Sequence, residues 1–346
     1  MVSQSDRIRI GIVGTGRMAR IHAENIKNHL LGFELRSVTS RSLDRAARFA
    51  QEFGIVTHST LVPRTELDAI LIATDPATHP SWIADATCSA AKHIFCEKPI
   101  GLTIDAIQIV LKVVEGCGVK LFVGFNRRFD PHFKTAIGAL RRDSGIGDPG
   151  IVSIISHDPK GKVIVDPAMR KGMLFFGTAV HDFDMARHIF GDEAVTVHTM
   201  ADILEFKILK DRNDVDTAIT TLQFRNGGLA IISNSWVGHY YDQRLEILGS
   251  RRMLAVGNML PHAVVTADNG MAQLSVPRGF FAERYQESYL AELQEFERCI
   301  REDKEPLVTG HDGLMAVVLA TAAKISAETG RTVYADEMQS WLGNVG

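Results

Sequence analysis

Near its N-terminus the chain reads Arg7-Ile8-Arg9-Ile10-Gly11-Ile12-Val13 and then Gly14-Thr15-Gly16-Arg17-Met18-Ala19. The first stretch is mostly apolar and too short for a buried helix, so it reads as one strand. The second has the form G-x-G-x-x-A. Gly14 permits a tight turn, Gly16 lets backbone approach a pyrophosphate, and the small Ala19 lets a helix pack on the strand. The helix that follows, from Arg17 to His29, aims its N-terminal amides and positive dipole end at that phosphate. A strand before the motif and a helix after it are the context a dinucleotide-binding turn requires.

The pattern continues with a strand at Phe33–Thr39 and a helix at Leu43–Phe53, for which Ser42 is the expected N-cap. At the end of the second strand an NAD-preferring site usually carries an acid for the adenosine ribose 2′-hydroxyl. Here the residues are Thr39-Ser40-Arg41, with Ser40 24 residues beyond Gly16 (40 − 16). A hydroxyl followed by a guanidinium suits a 2′-phosphate, which predicts NADP(H) as the preferred cofactor and leaves NAD(H) as the alternative. Further strands at 68–74, 93–96 and 119–124 alternate with helices, predicting a doubly wound parallel sheet, a Rossmann domain over residues 1–125.

Residues 126–346 change character. They predict a strand at 151–156, a helix at 176–190, and then a meander of strands from 195 to 266, with Asn226-Gly227 as a hairpin turn. Helices at 283–301 and 310–328 follow. This is the pattern of an α+β domain with a large, mainly antiparallel sheet.

Composition narrows the class of function. The net charge is −3 with no basic block, which argues against nucleic acid or an anionic membrane as partner. No apolar run approaches the roughly 18 residues of a membrane span. The first residues lack the apolar core of a signal peptide. Cys88, Cys96, Cys117 and Cys299 show no C-x-x-C spacing, so neither a disulfide framework nor a metal site is expected, and a cytoplasmic setting fits.

Other motifs are Ala73-Thr74 with His79, Glu97-Lys98-Pro99, Gly124-Phe125-Asn126-Arg127-Arg128-Phe129-Asp130-Pro131 and Ser156-His157-Asp158-Pro159. His181-Asp182-Phe183-Asp184-Met185-Ala186-Arg187, Tyr241-Asp242-Gln243-Arg244 and Glu283-Arg284-Tyr285 follow. In this order they resemble the glucose–fructose oxidoreductase / inositol dehydrogenase / MocA family of NAD(P)-dependent sugar and cyclitol dehydrogenases. The resemblance covers nearly the whole chain, and the Asn126 and Tyr241 runs are most similar to the inositol 2-dehydrogenase branch. It implies a cyclitol or sugar substrate, and a homodimer or homotetramer formed through the sheet of the second domain.

The resemblance also implies residue roles. Lys98 would lie between nicotinamide and the reacting carbinol, and His181 would exchange the hydroxyl proton. Cofactor contacts would come from Gly14, Gly16, Arg17, Met18, Ser40, Arg41, Thr74, His79, Glu97, Lys98 and Asn126. Substrate contacts would come from Lys98, Asn126, Asp158, His181 and Tyr241. The residue types suit the chemistry: an imidazole takes and returns a proton near neutrality, and an ammonium stabilises a developing alkoxide. One departure stands out. The family usually has an aspartate four residues before the histidine, and here that position is Gly177. Asp158, Asp182 or Asp184 are the candidate replacements. Gly177 keeps a second class of function open, a cofactor-binding sensor that has lost turnover.

Overall fold

The computed structural model describes residues 6–343 apart from 65, 142–145, 164–169, 263, 269–270 and 278. The chain forms two compact units, one of residues up to Phe129 with Glu287–Val317, the other of Asp130–Gln286 with residues from Val318 on.

The first unit alternates strand and helix: β1 (Ile8–Val13), α1 (Arg17–His29), β2 (Phe33–Thr39), α2 (Leu43–Phe53), β3 (Thr57–Ser59), β4 (Ala69–Ile72), α3 (His79–Thr87), β5 (His93–Glu97), α4 (Ile104–Gly116) and β6 (Lys120–Gly124). The sheet order is β3-β2-β1-β4-β5-β6, with every pairing parallel. β4 and β5 are buried along their whole length, as strands covered by helices on both faces must be. Ser42 caps α2 as expected, its Oγ accepting the Arg45 N–H. Strand order reverses between β1 and β4, so the carboxyl ends of these strands diverge into a crevice, the usual ligand position in an open α/β sheet.

The second unit contains α5 (Pro131–Leu140), β7 (Pro149–Pro159), α6 (Val180–Phe190), β8 (Ala194–Asp202), β9 (Thr217–Phe224), β10 (Leu229–Gly238), β11 (Asp242–Gly249), β12 (Met253–Val256), β13 (Val265–Asp268), β14 (Met271–Leu274) and α7 (Phe281–Arg284). The chain goes on with α8 (Gln286–Arg301), α9 (Gly310–Thr329), β15 (Val333–Tyr334) and α10 (Ala335–Leu342). From Glu287 on, α8 belongs to the first unit, where Phe296 meets Phe95 and Phe122 edge-on at 5.6 and 5.7 Å.

The large sheet runs β12-β11-β7-β10-β9-β8-β15. It is not the expected meander. β7 inserts between β10 and β11 and pairs with β10 in parallel, while its other neighbour, β11, is antiparallel to it. Ala263, within the expected 263–266 strand, lies outside the described residues. The expected helix at 176–190 also differs: Leu174–Ala179 is a π-helical turn, and regular α-helix begins at Val180.

Buried polar groups pin this unit together. Asp182 accepts from Ser156 Oγ (2.8 Å) on β7 and from Asn234 Nδ2 (2.7 Å) on β10, which fixes α6 to the sheet. Asp130 caps α5 through the His132 and Phe133 amides and accepts from Arg284 Nη1 at 2.6 Å, both side chains being almost fully buried. Removing one partner of such a pair leaves a buried charge alone. Asp130→Ala is therefore expected to lower unfolding free energy by about 3–5 kcal/mol, read from denaturant titration.

Candidate functional site

At the crevice between the β1 and β4 ends lies a cleft of about 640 Å³ lined by Gly14, Thr15, Gly16, Arg17, Met18, Ser40, Arg41, Ser42, Arg45, Ala73, Thr74, Asp75 and Trp82. That volume falls within the roughly 300–1,000 Å³ of small-molecule sites. The two motif glycines have different causes. Gly14 has φ +116°, and a Cβ on it would stand 2.3 Å from the Ala73 carbonyl oxygen. The fold itself forbids a side chain there. A Cβ on Gly16 would meet no atom of the described residues within 4 Å. The protein gives no reason for this second glycine, but a pyrophosphate lying over the turn does. The cleft thus fits a dinucleotide, with the α1 N-terminus at its floor.

The adenosine end carries four hydroxyl or guanidinium residues, Ser40, Arg41, Ser42 and Arg45, while Asp75 lies at the β4 end. Of the residues expected to hold cofactor, Gly14, Gly16, Arg17, Met18, Ser40, Arg41 and Thr74 line the cleft, whereas His79, Glu97, Lys98 and Asn126 do not. Sequence reading missed Arg45 and Trp82. Arg45 lies four residues after Arg41, at the start of α2, and that spacing was the available signal.

His79 is buried, and burial holds its imidazole below the usual range, toward the neutral form. Its Nδ1 stands 2.7 Å from the Pro99 carbonyl oxygen and its Nε2 3.1 Å from that of Thr74; the one N–H of the neutral ring donates to the nearer, Pro99, bracing the turn after β5 against the start of α3. Lys98, in the braced turn, is half-buried, and its amide donates to Glu97 Oε2 at 3.2 Å. Glu97 is buried, with Oε1 2.6 Å from His22 Nε2. Asn126 is buried and donates from Nδ2 to Ser288 Oγ at 2.8 Å.

In the second unit His181 is the second residue of α6 and is half-buried. Asp158 lies near the end of β7, half-buried. Tyr241 is buried edge-on to Phe280 and Tyr285, at 5.3 and 6.2 Å. Among the candidate replacements for the missing aspartate, Asp182 has its two oxygens on β7 and β10, and Asp184 is buried. Gly177 sits inside the π-helical turn, where a Cβ would meet only the Met173 methyl carbon, at 3.1 Å.

A parallel sheet with a glycine turn at its switch point, and a cleft that fits a dinucleotide there, defines the Rossmann-domain oxidoreductases. Residues 8–125 match the family described as "Oxidoreductase family, NAD-binding Rossmann fold", and residues 166–334 match "Oxidoreductase family, C-terminal alpha/beta domain". The chain belongs to the glucose–fructose oxidoreductase / inositol dehydrogenase / MocA family. The myo-inositol 2-dehydrogenase of Thermotoga maritima is 36% identical over 336 residues, 96% of this chain and 99% of that protein. The inositol 2-dehydrogenase of Rhizobium meliloti is 36% identical over 329 residues, 94% of this chain and 98% of that protein. Among solved structures, scyllo-inositol dehydrogenase from Lactobacillus casei with bound NAD(H) and scyllo-inositol matches with a TM-score of 0.87 at 27% identity, covering 95% of this chain and 99% of that one.

The contrast between the two glycines gives a test. Gly16→Ala is expected to change unfolding free energy by less than about 1 kcal/mol while weakening nicotinamide-cofactor binding at least about tenfold. Gly14→Ala should instead destabilise the fold, because a Cβ at positive φ is driven into the Ala73 carbonyl. Fluorescence titration with the cofactor and denaturant unfolding separate the two effects.

Proposed function

We propose that this oxidoreductase is an NADP(H)-preferring dehydrogenase of a cyclitol hydroxyl, with a pyranose as the next candidate. Full-length similarity to inositol dehydrogenases, together with the Glu97-Lys98-Pro99 turn and the His181 helix, supports the substrate class. The relatives named above are dehydrogenases, and none supports the sensor alternative. The observation that carries the cofactor choice is the adenosine end of the cleft, where Ser40, Arg41 and Arg45 stand and the expected acid does not. A 2′-phosphate there gains charge-assisted hydrogen bonds.

When bound, the nicotinamide supplies hydride acceptance and return. The chain supplies the proton chemistry. Lys98 offers an ammonium to the oxygen that develops charge, and His181 takes the hydroxyl proton and gives it back. Asn126, Asp158 and Tyr241 hold the remaining hydroxyls, and Thr74, His79 and Glu97 support the nicotinamide end. His181 works without a carboxylate at position 177.

Assembly follows from the large sheet. Strand register puts Met200, Ile219, Leu229, Ile231, Leu248 and Met253 on one face, each 45–72% exposed. Thr221, Gln223, Ser153 and Glu246 lie among them on this face. Large apolar side chains exposed together mark an interaction surface, and we assign it to a homodimer or homotetramer. The four cysteines are free, and no helix among the described residues is long and apolar enough to cross a membrane. Both facts fit a cytoplasmic enzyme.

NADPH is expected to bind at least about tenfold more tightly than NADH at matched ionic strength, and Ser40→Asp to reverse the order. Tighter NADH binding by the wild type would refute the reading of the β2 end. With a panel of inositols and aldoses, Lys98→Ala should lower turnover at least ~100-fold and leave cofactor affinity intact. Gly177→Asp, whose Cβ would meet the Met173 methyl at 3.1 Å, should raise turnover if His181 lacks an orienting acid. A wild type that binds cofactor yet oxidises nothing in the panel, with no rescue by the aspartate, would return the chain to the sensor class.

A further inference from the structure

The first unit holds a buried set of titratable groups, of which the chemistry above uses only Glu97. His22 on α1, Glu97 at the end of β5 and Glu292 on α8 are 0%, 5% and 0% exposed. A donor atom from each lies within 4.8 Å of the others. The walls are aromatic, with Phe95 and Tyr289 edge-on to the His22 ring at 5.3 and 6.1 Å. The ligand types suit a divalent cation, but the spacing does not. Two ligands about 2.0–2.2 Å from one tetrahedral ion stand roughly 3.3 Å apart. The 2.6 Å between His22 Nε2 and Glu97 Oε1 is instead the length of a hydrogen bond with one shared proton.

Glu292 is the unusual member. Neither carboxyl oxygen has a hydrogen-bond partner among the described residues. Burial, and then the charge of Glu97, push its carboxyl well above the usual range. An ionised carboxylate without hydrogen bonds in an apolar surround is costly, so Glu292 is held as the neutral acid. The carboxylate of Glu97 also holds the turn that follows it, because its second oxygen accepts the Lys98 amide at 3.2 Å. His79 holds the far side of the same turn through the Pro99 carbonyl.

We propose that His22 and Glu292 are positioning residues for Lys98, acting through the carboxylate of Glu97. The imidazole fixes one oxygen of that carboxylate, leaving the other aimed at the Lys98 amide. Glu292, fully buried within 4.8 Å of it, packs there as an uncharged group. The start of the lysine side chain is thereby held from below, in the unit that also binds the cofactor. The inference rests on the role given to Lys98 above.

The test uses the full-length protein, saturating cofactor and the best polyol of the panel. His22→Ala and Glu292→Ala should each lower kcat at least about tenfold, with cofactor Kd and substrate KM changed less than about threefold. Glu292→Gln, a neutral isostere, should recover most of the kcat lost in Glu292→Ala. Infrared spectra of protein labelled at its glutamate carboxyls should show, at neutral pH, the carbonyl band of a buried protonated acid, absent in Glu292→Gln. Full activity of both alanine variants beside an inactive Lys98→Ala overturns the inference and spares the role of Lys98. Full activity of Lys98→Ala overturns that role and the inference with it. Should the alanine variants fail to fold, a wild-type spectrum without the acid band still overturns the proposal.

Discussion

At the centre of the first unit is a contact that admits no side chain. The carbonyl oxygen of Ala73 occupies the place a Cβ of Gly14 would need, and the Ala73 amide in turn donates to Val13. This close approach joins the ends of β1 and β4, the two parallel strands between which the strand order reverses. The N-terminus of α1 and the β2 end therefore open on the same crevice. Moving β1 away from β4 by the width of a methyl group would displace the phosphate turn, the adenosine end and the base of the cleft together. Gly16 then marks where the protein stops and the ligand begins.

The first unit was readable because each element is written locally. α1, β2 and α2 have the bounds that periodicity and capping give, and Ser42 is where the helix signal put it. The second unit was less readable because its sheet order depends on pairings distant in sequence. Nothing in Ile151–Ser156 announces that this strand will separate β10 from β11. Short pieces such as β3 and β15, with three and two residues, carry no periodicity at all. The π-helical turn escaped for a related reason: an added residue leaves the apolar spacing nearly helical. Within the cleft, the residues of the turn itself were legible. Trp82 was not, because only the fold brings α3 to the β1 end.

The two units solve the problem of rigidity differently. The first packs aromatic rings, with Phe95 stacked on Phe122 at 5.3 Å and Phe296 edge-on to both. The second uses buried carboxylates as nodes. Asp216, fully buried, accepts the amides of Leu204, Glu205 and Phe206, while Asp182 and Asp130 do the same work for α6 and α5. Each node leaves a specific donor unsatisfied if it is lost. The helix that bears His181 is thus set by hydrogen bonds of fixed direction, which matters for an imidazole with no acid at position 177 to orient it.

The π-helical turn before that helix has a geometric consequence. An α-helix advances about 100° per residue, so one extra residue in a turn rotates everything upstream of it relative to everything downstream. The turn is anchored from outside by Trp236 Nε1, which donates to Thr178 Oγ1 at 3.1 Å. Here the insertion lies between Met173 and Val180, immediately before the histidine. The azimuth of the imidazole with respect to the preceding segment is thereby decided by residue count. Gaining or losing one residue of the turn would rotate the preceding segment about the helix axis, with every side chain of α6, the imidazole included, and its seat on the sheet left as they are.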